Sequence, residues 1–309
     1  MDIRQMQYLI TLADTGSYTQ AARELNISQP SLSTFVTKVE SELELQLFDR
    51  NTTPITLTYA GRIYIDSLRS ICNKAELLDR RMNDVSGREA GTIRVGFPTE
   101  RAAYMIPYVM PVMKKQHPDI DVRITTGSSE RLMQMVDGGK LDMAVLPASS
   151  LRDDTGSMPE GLVRNELYEE EVFLVDGCGY IKEEHLIPSM KNCADPMKLD
   201  GIPLVTLDKT HGIRHFQDNL FRLHEAAPDI VMEVPSNAAA YRLASAGLGA
   251  AIVPGMVVEM FKPISDVRTY HISVTGYRWK ISAITKKNAY ITGIEKAFIN
   301  CVRSVMNVR

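Results

Sequence analysis

The sequence predicts an α/β protein with three parts: an all-α N-terminal domain, a long linker helix and a two-lobed α/β domain. Three patterns lead to this prediction. Apolar residues follow helical spacing near the N-terminus, a 3.5-residue repeat runs from 57 to 85, and strand-like and helix-like segments alternate beyond Gly91. We expect the three parts to span residues 1–58, 59–90 and 91–309.

The composition indicates an ordinary globular protein of a reducing compartment. Of the 309 residues, 44% are hydrophobic and 24% are charged, and the four cysteines are scattered without a CxxC pair. This spacing argues against a disulfide framework and against a metal ribbon. The N-terminus lacks the apolar core of a signal peptide, and no apolar run approaches the roughly 18 residues of a transmembrane helix. We therefore expect a cytoplasmic protein without a membrane partner.

The net charge of the chain does not by itself indicate binding to nucleic acid. The chain carries a formal charge of −3, and its first 90 residues hold ten Lys and Arg against twelve Asp and Glu. Nucleic-acid-binding domains are often recognised by an excess of basic residues. Here any such contact has to be inferred from individual side chains.

Three helices are expected in the first part of the chain. The first has apolar residues at helical spacing up to Ala13, and the second begins at Ser17 or the residue after it. Between the second and the third helix stands a polar step, Ser-Gln-Pro-Ser at 28–31. Its first serine is a favourable helix cap and its proline fits a first helical turn, so the step is the start of the third helix.

The second and third helices carry the packing pattern of a helix-turn-helix. Small or apolar residues stand where two such helices cross: Ala21, Ala22, Leu25, Ile27, Leu32 and Phe35. The third helix keeps polar residues on its other positions, and a glutamine such as Gln29 can make a bidentate hydrogen bond to adenine. An ordinary helical hairpin with a solvated polar face is the alternative.

A family resemblance lies in the same region. The matching words are AA-x-x-L, SQPSLS, the Glu40…Leu43 pair, LFDR, and LTYAG at 57–61. In this order they resemble the winged helix-turn-helix of LysR-type transcriptional regulators. The resemblance implies that the third helix enters the major groove of double-stranded DNA, with a wing near the backbone. The expected DNA-binding residues are Ser28, Gln29, Pro30, Ser31, Ser33, Thr34, Thr37, Lys38, Arg50, Thr52 and Thr53.

Two residues depart from the family pattern. The family usually has a basic residue where this chain has Thr34, and glycine where it has Glu44. The first change removes an expected contact to phosphate or base. We therefore expect DNA binding through amides and hydroxyls more than through charge, with a shallow dependence on salt.

A coiled-coil repeat predicts that the linker helix pairs with a second copy of the chain. The repeat consists of Leu57, Gly61, Tyr64, Leu68, Ile71, Ala75, Leu78, Met82 and Val85, in alternating steps of four and three. An amphipathic helix packed on its own domain is the alternative. We expect a homodimer through residues 57–85, and the resemblance implies a homotetramer of two dimers. Two recognition helices would then read a roughly palindromic site.

Two series of alternating strands and helices beyond Gly91 predict two α/β lobes with a ligand cleft between them. Words such as GKLDMAVLP and ASAGLGAAIVP resemble the LysR-type effector domain, whose fold is related to type 2 periplasmic binding proteins. The resemblance implies a sequence-specific transcriptional regulator modulated by a small-molecule effector. We expect lobe I at about 92–161 and 267–309, and lobe II at about 162–266.

The effector site is expected at strand ends and helix N-termini that face the cleft, where N–H groups and hydroxyls can bind a carboxylate or another polar group. The expected effector-binding residues are Pro98, Thr99, Glu100, Ser128, Ser129, Val205, Thr206 and Asn237. Each position is equally well explained as a helix cap without a ligand. An acidic residue at the mouth leaves a neutral or amine-bearing effector open.

Other chemistry is not indicated. His211 and His215, one helical turn apart near Asp208, are too few for zinc, which needs three or four ligands. Cys178 and Cys193 lie before the loop in which peroxide-sensing members of the family carry two cysteines, so buried or incidental thiols are favoured. No nucleophile–base pair, dinucleotide fingerprint or P-loop is present, and we expect neither catalysis nor a cofactor. An exported solute-binding protein and an enzyme on the same fold are the alternatives.

Overall fold

The computed structural model describes residues 1–87, 90–149, 158–209, 211–261, 266–272 and 279–307. The chain divides into two compact units, the first comprising residues 1–88 and 138–140 and the second residues 89–137 and 141–309. Among the described residues, no helix is both long enough and apolar enough to cross a lipid bilayer.

The first unit is a small helical domain that ends in a long helix. Its elements are α1 (Ile3–Thr15), α2 (Tyr18–Glu24), α3 (Gln29–Leu43), the short strands β1 (Phe48–Asp49) and β2 (Thr56–Leu57), and α4 (Tyr59–Val85). Strands β1 and β2 pair antiparallel and form the wing. Ala21, Ala22 and Leu32 are at most 3% exposed, as the packing pattern requires. The predicted winged helix-turn-helix is confirmed.

Local side-chain contacts explain where these helices begin and end. Ser17 Oγ accepts a hydrogen bond from Gln20 N at 3.4 Å, and Ser28 Oγ accepts one from Ser31 N at 3.2 Å. The polar step therefore caps α3. Helix α3 ends at Leu43, and the cap residue that follows it, Glu44, has a φ of 54° in the left-handed region. That backbone conformation favours glycine, so the departure from the family pattern at Glu44 costs conformational energy.

The long helix α4 has two different environments along its length. In its first half Gly61, Ile65 and Leu68 are buried, and the two larger side chains belong to the core of the helical domain. In its second half the repeat stays apolar but exposed: Ile71, Leu78, Met82 and Val85 are between 47% and 83% exposed. The first half of the predicted seam thus packs on its own domain, because a 3.5-residue repeat marks an apolar stripe without specifying what covers it.

The second unit contains eleven strands and six α-helices among the described residues. In chain order they are β3 (Gly91–Phe97), α5 (Thr99–Gln116), β4 (Ile120–Thr126), α6 (Ser129–Asp137), β5 (Met143–Ser149), β6 (Leu162–Glu170), β7 (Val172–Asp176), β8 (Cys193–Ala194), β9 (Pro203–Leu207), α7 (Gly212–Leu223), β10 (Asp229–Val234), α8 (Asn237–Ser245), β11 (Ala250–Pro254), α9 (Gly255–Met260), β12 (Arg268–Ile272), β13 (Trp279–Lys286) and α10 (Gly293–Met306). Short 3-10 turns lie at Glu183–His185 and Pro196–Lys198.

These strands form two sheets, one in each lobe. The first has the order β4-β3-β5-β13-β6 and the second the order β10-β9-β11-β7-β12-β8. In the first, β3 is parallel to β4 and β5, whereas β13 is antiparallel to β5 and β6. In the second, β9 is parallel to β10 and β11, and β7 is antiparallel to β11 and β12. Residues in the central strands form the buried core, with Val95, Val205 and Ala251 each 0% exposed.

The predicted limits of the two lobes are wrong by one strand at each crossing. Strand β6 (Leu162–Glu170) belongs to the first sheet, and strand β12 (Arg268–Ile272) belongs to the second. The chain therefore crosses after β6 and returns after β12, whereas we expected changes at 161/162 and 266/267. An apolar strand pattern shows that a segment is a strand but does not specify its partner, so the sequence could not place these two strands.

Candidate functional site

The polar face of α3 and the wing form the first candidate surface, in the helical unit. Of the eleven predicted DNA-binding residues, nine are exposed: Ser28, Gln29, Pro30, Ser31, Thr34, Thr37, Lys38, Arg50 and Thr53. The other two, Ser33 and Thr52, are partly buried. Arg50 Nη2 donates to Thr37 Oγ1 at 3.3 Å, so the wing contacts α3 directly. The structure therefore presents the predicted residues on accessible surface.

Gln29 lies in the capped first turn of α3. The cap is reinforced by a hydrogen bond of 2.6 Å between the hydroxyl groups of Ser28 and Ser31. Within the described part of the chain the side-chain amide of Gln29 has no hydrogen-bond partner, and the residue is exposed. Its donor and acceptor are both available to an external group.

The two basic residues of this surface are engaged by neighbouring carboxylates. Arg50 Nη2 lies 2.7 Å from Glu40 Oε2, and Lys38 Nζ lies 3.8 Å from Glu42 Oε1. The guanidinium of Arg50 also lies 5.8 Å from the ring centroid of Tyr18. Burial raises the pKa of the Tyr18 hydroxyl, and Arg50 opposes that rise. The positive charge of the surface is therefore partly neutralised within the protein.

A cavity of about 440 Å³ in the second unit is the second candidate site. It lies where helices α5, α6, α7 and α8 begin, and its lining residues come from both lobes: Pro98, Thr99, Glu100, Arg101, Gly127, Ser128, Ser129, Pro147, His211, Gly212, Ile213, Pro235, Ser236, Asn237, Pro254, Met256 and Trp279. The N-termini of these four helices, each the positive end of a helix dipole, therefore face one space. Such a space suits a small polar ligand.

Six of the eight predicted effector-binding residues line this cavity: Pro98, Thr99, Glu100, Ser128, Ser129 and Asn237. The other two predictions are wrong. Val205 and Thr206 are 0% and 1% exposed within β9, which has neighbours on both sides. Thr206 Oγ1 donates to Gln217 Oε1 of α7 at 3.1 Å, so its hydroxyl is used inside lobe II. The cavity lies beyond the end of β9, at the start of α7.

The sequence missed residues that approach the cavity from distant positions. His211 and Gly212 lie at the start of α7 and are not among the expected effector-binding residues. Trp279, the single tryptophan of the chain, begins β13 and packs edge-to-face on Phe216 at 5.5 Å between ring centroids. For Gly212 a sequence signal exists, because a glycine between a strand and a helix lets a ligand approach the backbone closely. For Trp279 no local signal indicates the cavity.

A buried ion pair lies in the cavity wall. Arg101 is 2% exposed and donates to Glu170 Oε2 at 2.8 Å and to the Tyr168 hydroxyl at 2.9 Å. Burial alone lowers the pKa of Arg101, but Glu170 and Tyr168 raise it above its ordinary value. Burial raises the pKa of Tyr168 to about 12, against the opposing effect of Arg101. Arg101 is therefore charged and paired, and it is not available to a ligand anion.

Five hydrogen bonds between described residues join α5 and β6 of one lobe to α8 and α9 of the other. Glu100 of α5 accepts hydrogen bonds from Asn237 N at 3.2 Å, from Asn237 Nδ2 at 2.7 Å and from Ala238 N at 2.9 Å. Glu170 of β6 accepts one from Met256 N of α9 at 2.7 Å, and Tyr104 of α5 donates to Glu259 of α9 at 2.9 Å. These contacts connect the first sheet's lobe to both ends of α9 and to the N-terminus of α8, so a change in lobe position would alter them.

Metal and thiol chemistry have no assembled site in the described residues. His211 Nδ1 lies 3.1 Å from Asp208 Oδ1, but no group of three or more potential metal ligands was found in the described ranges. All four cysteines are thiols outside any disulfide bond; Cys178 is exposed, whereas Cys193 is buried.

Two family models match the chain. Residues 3–62 match the model described as bacterial regulatory helix-turn-helix protein, lysR family. Residues 86–307 match the model described as LysR substrate binding domain. The first match covers the α3 surface and the second covers the cavity.

Individual proteins show the same likeness over most of their length. The HTH-type transcriptional regulator BsdA of Bacillus subtilis is 27% identical over 97% of this chain and 99% of its own. The hydrogen peroxide-inducible genes activator of Haemophilus influenzae is 26% identical over 70% of this chain and 67% of its own. The crystal structure of full-length CbnR complexed with its target DNA has a TM-score of 0.65 at 22% identity, covering 99% of this chain and 100% of that one.

Proposed function

The chain belongs to the LysR family of DNA-binding transcriptional regulators, and from this premise we propose which of its residues contact DNA and which contact its effector. The matching models cover residues 3–62 and 86–307, so both the DNA-binding and the ligand-binding parts of the family are present. We place its action in the cytoplasm, where its DNA partner is, and our proposal contains no catalytic step.

We propose that α3 enters the major groove with Gln29 as its base-reading residue. The observation that carries this proposal is the exposed amide of Gln29, free of partners among the described residues, in a capped first turn. Ser31, Thr34 and Thr37 extend the same exposed polar face, and the wing residue Arg50 would contact the backbone. The similar protein CbnR has been solved on its target DNA, which supports the same use of this domain.

Fluorescence anisotropy with a labelled duplex from upstream of the protein's own coding region tests the assignment of α3. Gln29→Ala should weaken binding roughly 10- to 100-fold, because a bidentate pair to a base is worth about 1–3 kcal/mol. Its thermal unfolding should match that of the unaltered protein. Gln7→Ala, on the exposed surface of α1, is the matched control and should bind as before. Unchanged affinity and sequence preference in Gln29→Ala would show that α3 is not the reading helix.

We propose that the exposed second half of α4 pairs with the same helix of a second copy. Ile71, Leu78, Met82 and Val85 lie at repeat positions yet are exposed in the single chain, and such an apolar stripe is stabilised by burial. The dimer would present two α3 helices to DNA, and two dimers would form the tetramer that the family resemblance implies.

Light scattering after size exclusion measures this assembly. Leu78→Asp places a charge in the middle of the exposed stripe and should convert the assembly to a smaller species at micromolar concentration. Ser70→Asp introduces the same charge on exposed surface outside the repeat and should leave the molar mass unchanged. A mass that is equally insensitive to both changes would exclude this face as the interface.

We propose that the cavity between the lobes binds a small-molecule effector through Thr99, Ser128, Ser129 and Asn237. The convergence of four helix N-termini on one cavity of about 440 Å³ carries this proposal. A bound ligand would alter the lobe-to-lobe contacts of Glu100, Glu170 and Tyr104 and so shift the population of lobe arrangements. Because the chain runs from the helical unit directly into this domain, that shift would change DNA binding when the effector is present.

A thermal-shift screen of small metabolites identifies the effector, because a ligand that binds the folded state raises the unfolding temperature. Ser128→Ala should weaken the response to the identified compound while DNA affinity without effector stays the same. Ser189→Ala changes an exposed serine outside the cavity lining and serves as control. An undiminished response in Ser128→Ala would remove this serine from the site.

A further inference from the structure

We infer that Glu100 is the specificity-determining residue of the cleft. Its carboxylate fills the anion position at the N-terminus of α8 and reserves that end of the cavity for an effector's ammonium group. This inference rests on the proposed function, because it assumes that the cavity binds an effector. The α8 end of the cleft would accept a cationic group and exclude an anionic one.

The first turn of α8 has no hydrogen-bond donor left for a ligand. Glu100 accepts from Asn237 N and from Ala238 N, and Ser236 Oγ accepts from Ala239 N at 3.2 Å. The next amide, Ala240 N, bonds to the carbonyl of Ser236 at 3.1 Å. A carboxylate ligand would have to displace Glu100 to reach these groups, because they are already paired with an anion of the protein.

At α9 a carboxylate of the protein is also in place, since Glu170 accepts from Met256 N, but α5, α6 and α7 are not closed in this way. The cap residues of α5 and α7, Pro98 and His211, make no side-chain cap hydrogen bond. At α6 the contact from Arg131 N to Ser128 Oγ is long, at 3.4 Å. An acidic group of a ligand therefore finds free helix ends elsewhere in the cavity, away from α8.

The charge of Glu100 has no cationic partner in the described residues. Its hydrogen bonds all come from uncharged N–H groups, whereas Arg101 of the same wall is paired with Glu170 and His211 lies beside Asp208. A carboxylate at the edge of a cavity attracts a cation, and the attraction strengthens as water is excluded.

Asn237 adds an independent observation on the same wall. Its side chain is 9% exposed, its Nδ2 donates to Glu100, and its Oδ1 has no hydrogen-bond partner. A buried acceptor without a partner is costly, and because Oδ1 is closed to solvent, a ligand donor could satisfy it only by shifting the Asn237 amide. An ammonium group, with three N–H donors and a positive charge, suits the carboxylate of Glu100, which lacks a cation.

Small ions that mimic each group test the inference on the full-length protein. Glu100→Ala empties the anion position and should lower the unfolding temperature by roughly 2–4 °C. Sodium acetate at about 100 mM, compared with sodium chloride at equal ionic strength, should restore about half of that loss in Glu100→Ala and should stabilise the unaltered protein clearly less. Glu130→Ala removes an exposed acid in the first turn of α6, outside the cavity lining, and should respond to acetate as the unaltered protein does.

Methylammonium chloride at the same concentration probes the other half of the inference. It should raise the unfolding temperature of the unaltered protein above that of its sodium chloride control, and the gain should vanish in Glu100→Gln, which keeps the shape without the charge. Glu100→Gln carries the test by itself if Glu100→Ala does not fold. Acetate stabilising the unaltered protein as much as Glu100→Ala, or failing to stabilise Glu100→Ala, overturns the anion position. An equal methylammonium effect on the unaltered protein and Glu100→Gln, or none on either, overturns the ammonium preference.

These measurements use neither DNA nor the natural effector. Failure of the proposed function would appear in the anisotropy and screening experiments and would leave the acetate and methylammonium results intact. Failure of the present inference would appear only in those two ion effects.

Discussion

Glu40 of α3 and Arg50 of the wing form an ion pair, with 2.7 Å between Oε2 and Nη2. The second oxygen of Glu40 accepts hydrogen bonds from the backbone N–H groups of Leu47 at 2.8 Å and Phe48 at 3.1 Å. One carboxylate thus connects α3, the loop that follows it and the wing. The same contact removes a free positive charge from the surface proposed to face DNA.

Removing this carboxylate should destabilise the DNA-binding domain. Glu40→Ala leaves two backbone N–H groups and a guanidinium without their acceptor, and we expect the free energy of unfolding to fall by about 2–3 kcal/mol. Denaturant unfolding followed by circular dichroism measures the change. Glu42→Ala is the control, because its 3.8 Å pair with Lys38 is exposed and is worth less than about 0.5 kcal/mol. Equal losses in the two variants would contradict the connecting role of Glu40.

The salt dependence of DNA binding should be shallow. Lys38 and Arg50 are the basic residues among the predicted contacts, and both are paired with carboxylates. With two such cations in each protomer of a dimer, the slope of log K against log salt should be no steeper than about −4. Anisotropy titrations at several salt concentrations give the slope, and a value near −8 would show that other cations carry the binding.

Restoring the basic residue of the family pattern should steepen this dependence. Thr34 is exposed on α3, and Thr34→Arg adds one cation per protomer at the DNA surface. We expect the slope to become more negative by about 2 for a dimer. Ser189→Arg adds the same charge to the effector domain and should leave the slope as it was. No difference between the two variants would place Thr34 away from the phosphates.

A stabilising substitution is expected at the end of α3. Glu44 has a φ of 54°, a left-handed conformation that side chains with a Cβ adopt at a cost. Glu44→Gly should raise the free energy of unfolding by about 0.5–1 kcal/mol, because the relief of strain exceeds the added freedom of the unfolded chain. Glu42→Gly, inside the helix, should lower it by about 1 kcal/mol. Loss of stability in both variants would mean that the backbone at Glu44 is not strained.

The buried pair in the cavity wall should be sensitive to removal of one partner. Arg101→Met leaves the carboxylate of Glu170 buried without a cation, and we expect a loss of about 3–5 kcal/mol in the free energy of unfolding. Adding Glu170→Gln should recover part of this loss, since a neutral amide oxygen still accepts from Met256 N. Arg123→Met, which breaks an exposed pair with Asp121, should cost less than about 1 kcal/mol. Chemical unfolding of the four proteins compares these effects.

Several elements could be predicted because their causes are local. The cap at Ser28, the apolar spacing of α1 to α3 and the apolar runs of the effector-domain strands each depend on residues a few positions apart. The same holds for the candidate site, where Thr99, Ser128 and Asn237 follow strands and open helices. The lobe limits could not be predicted, because β6 and β12 resemble the other strands and differ only in their partners.

The sequence by itself determined the family, the order of elements and most of the helix ends at the cleft, since propensity, capping and periodicity act within a turn or a strand. Only the tertiary structure decided that Val205 and Thr206 are buried, that Trp279 reaches the cavity and that half of the α4 repeat is exposed. It also brought Glu100 onto the N–H groups of α8, a contact between residues 137 positions apart. The physical reason is that pairing, burial and charge compensation depend on which distant segments meet, and local pattern carries no information about that choice.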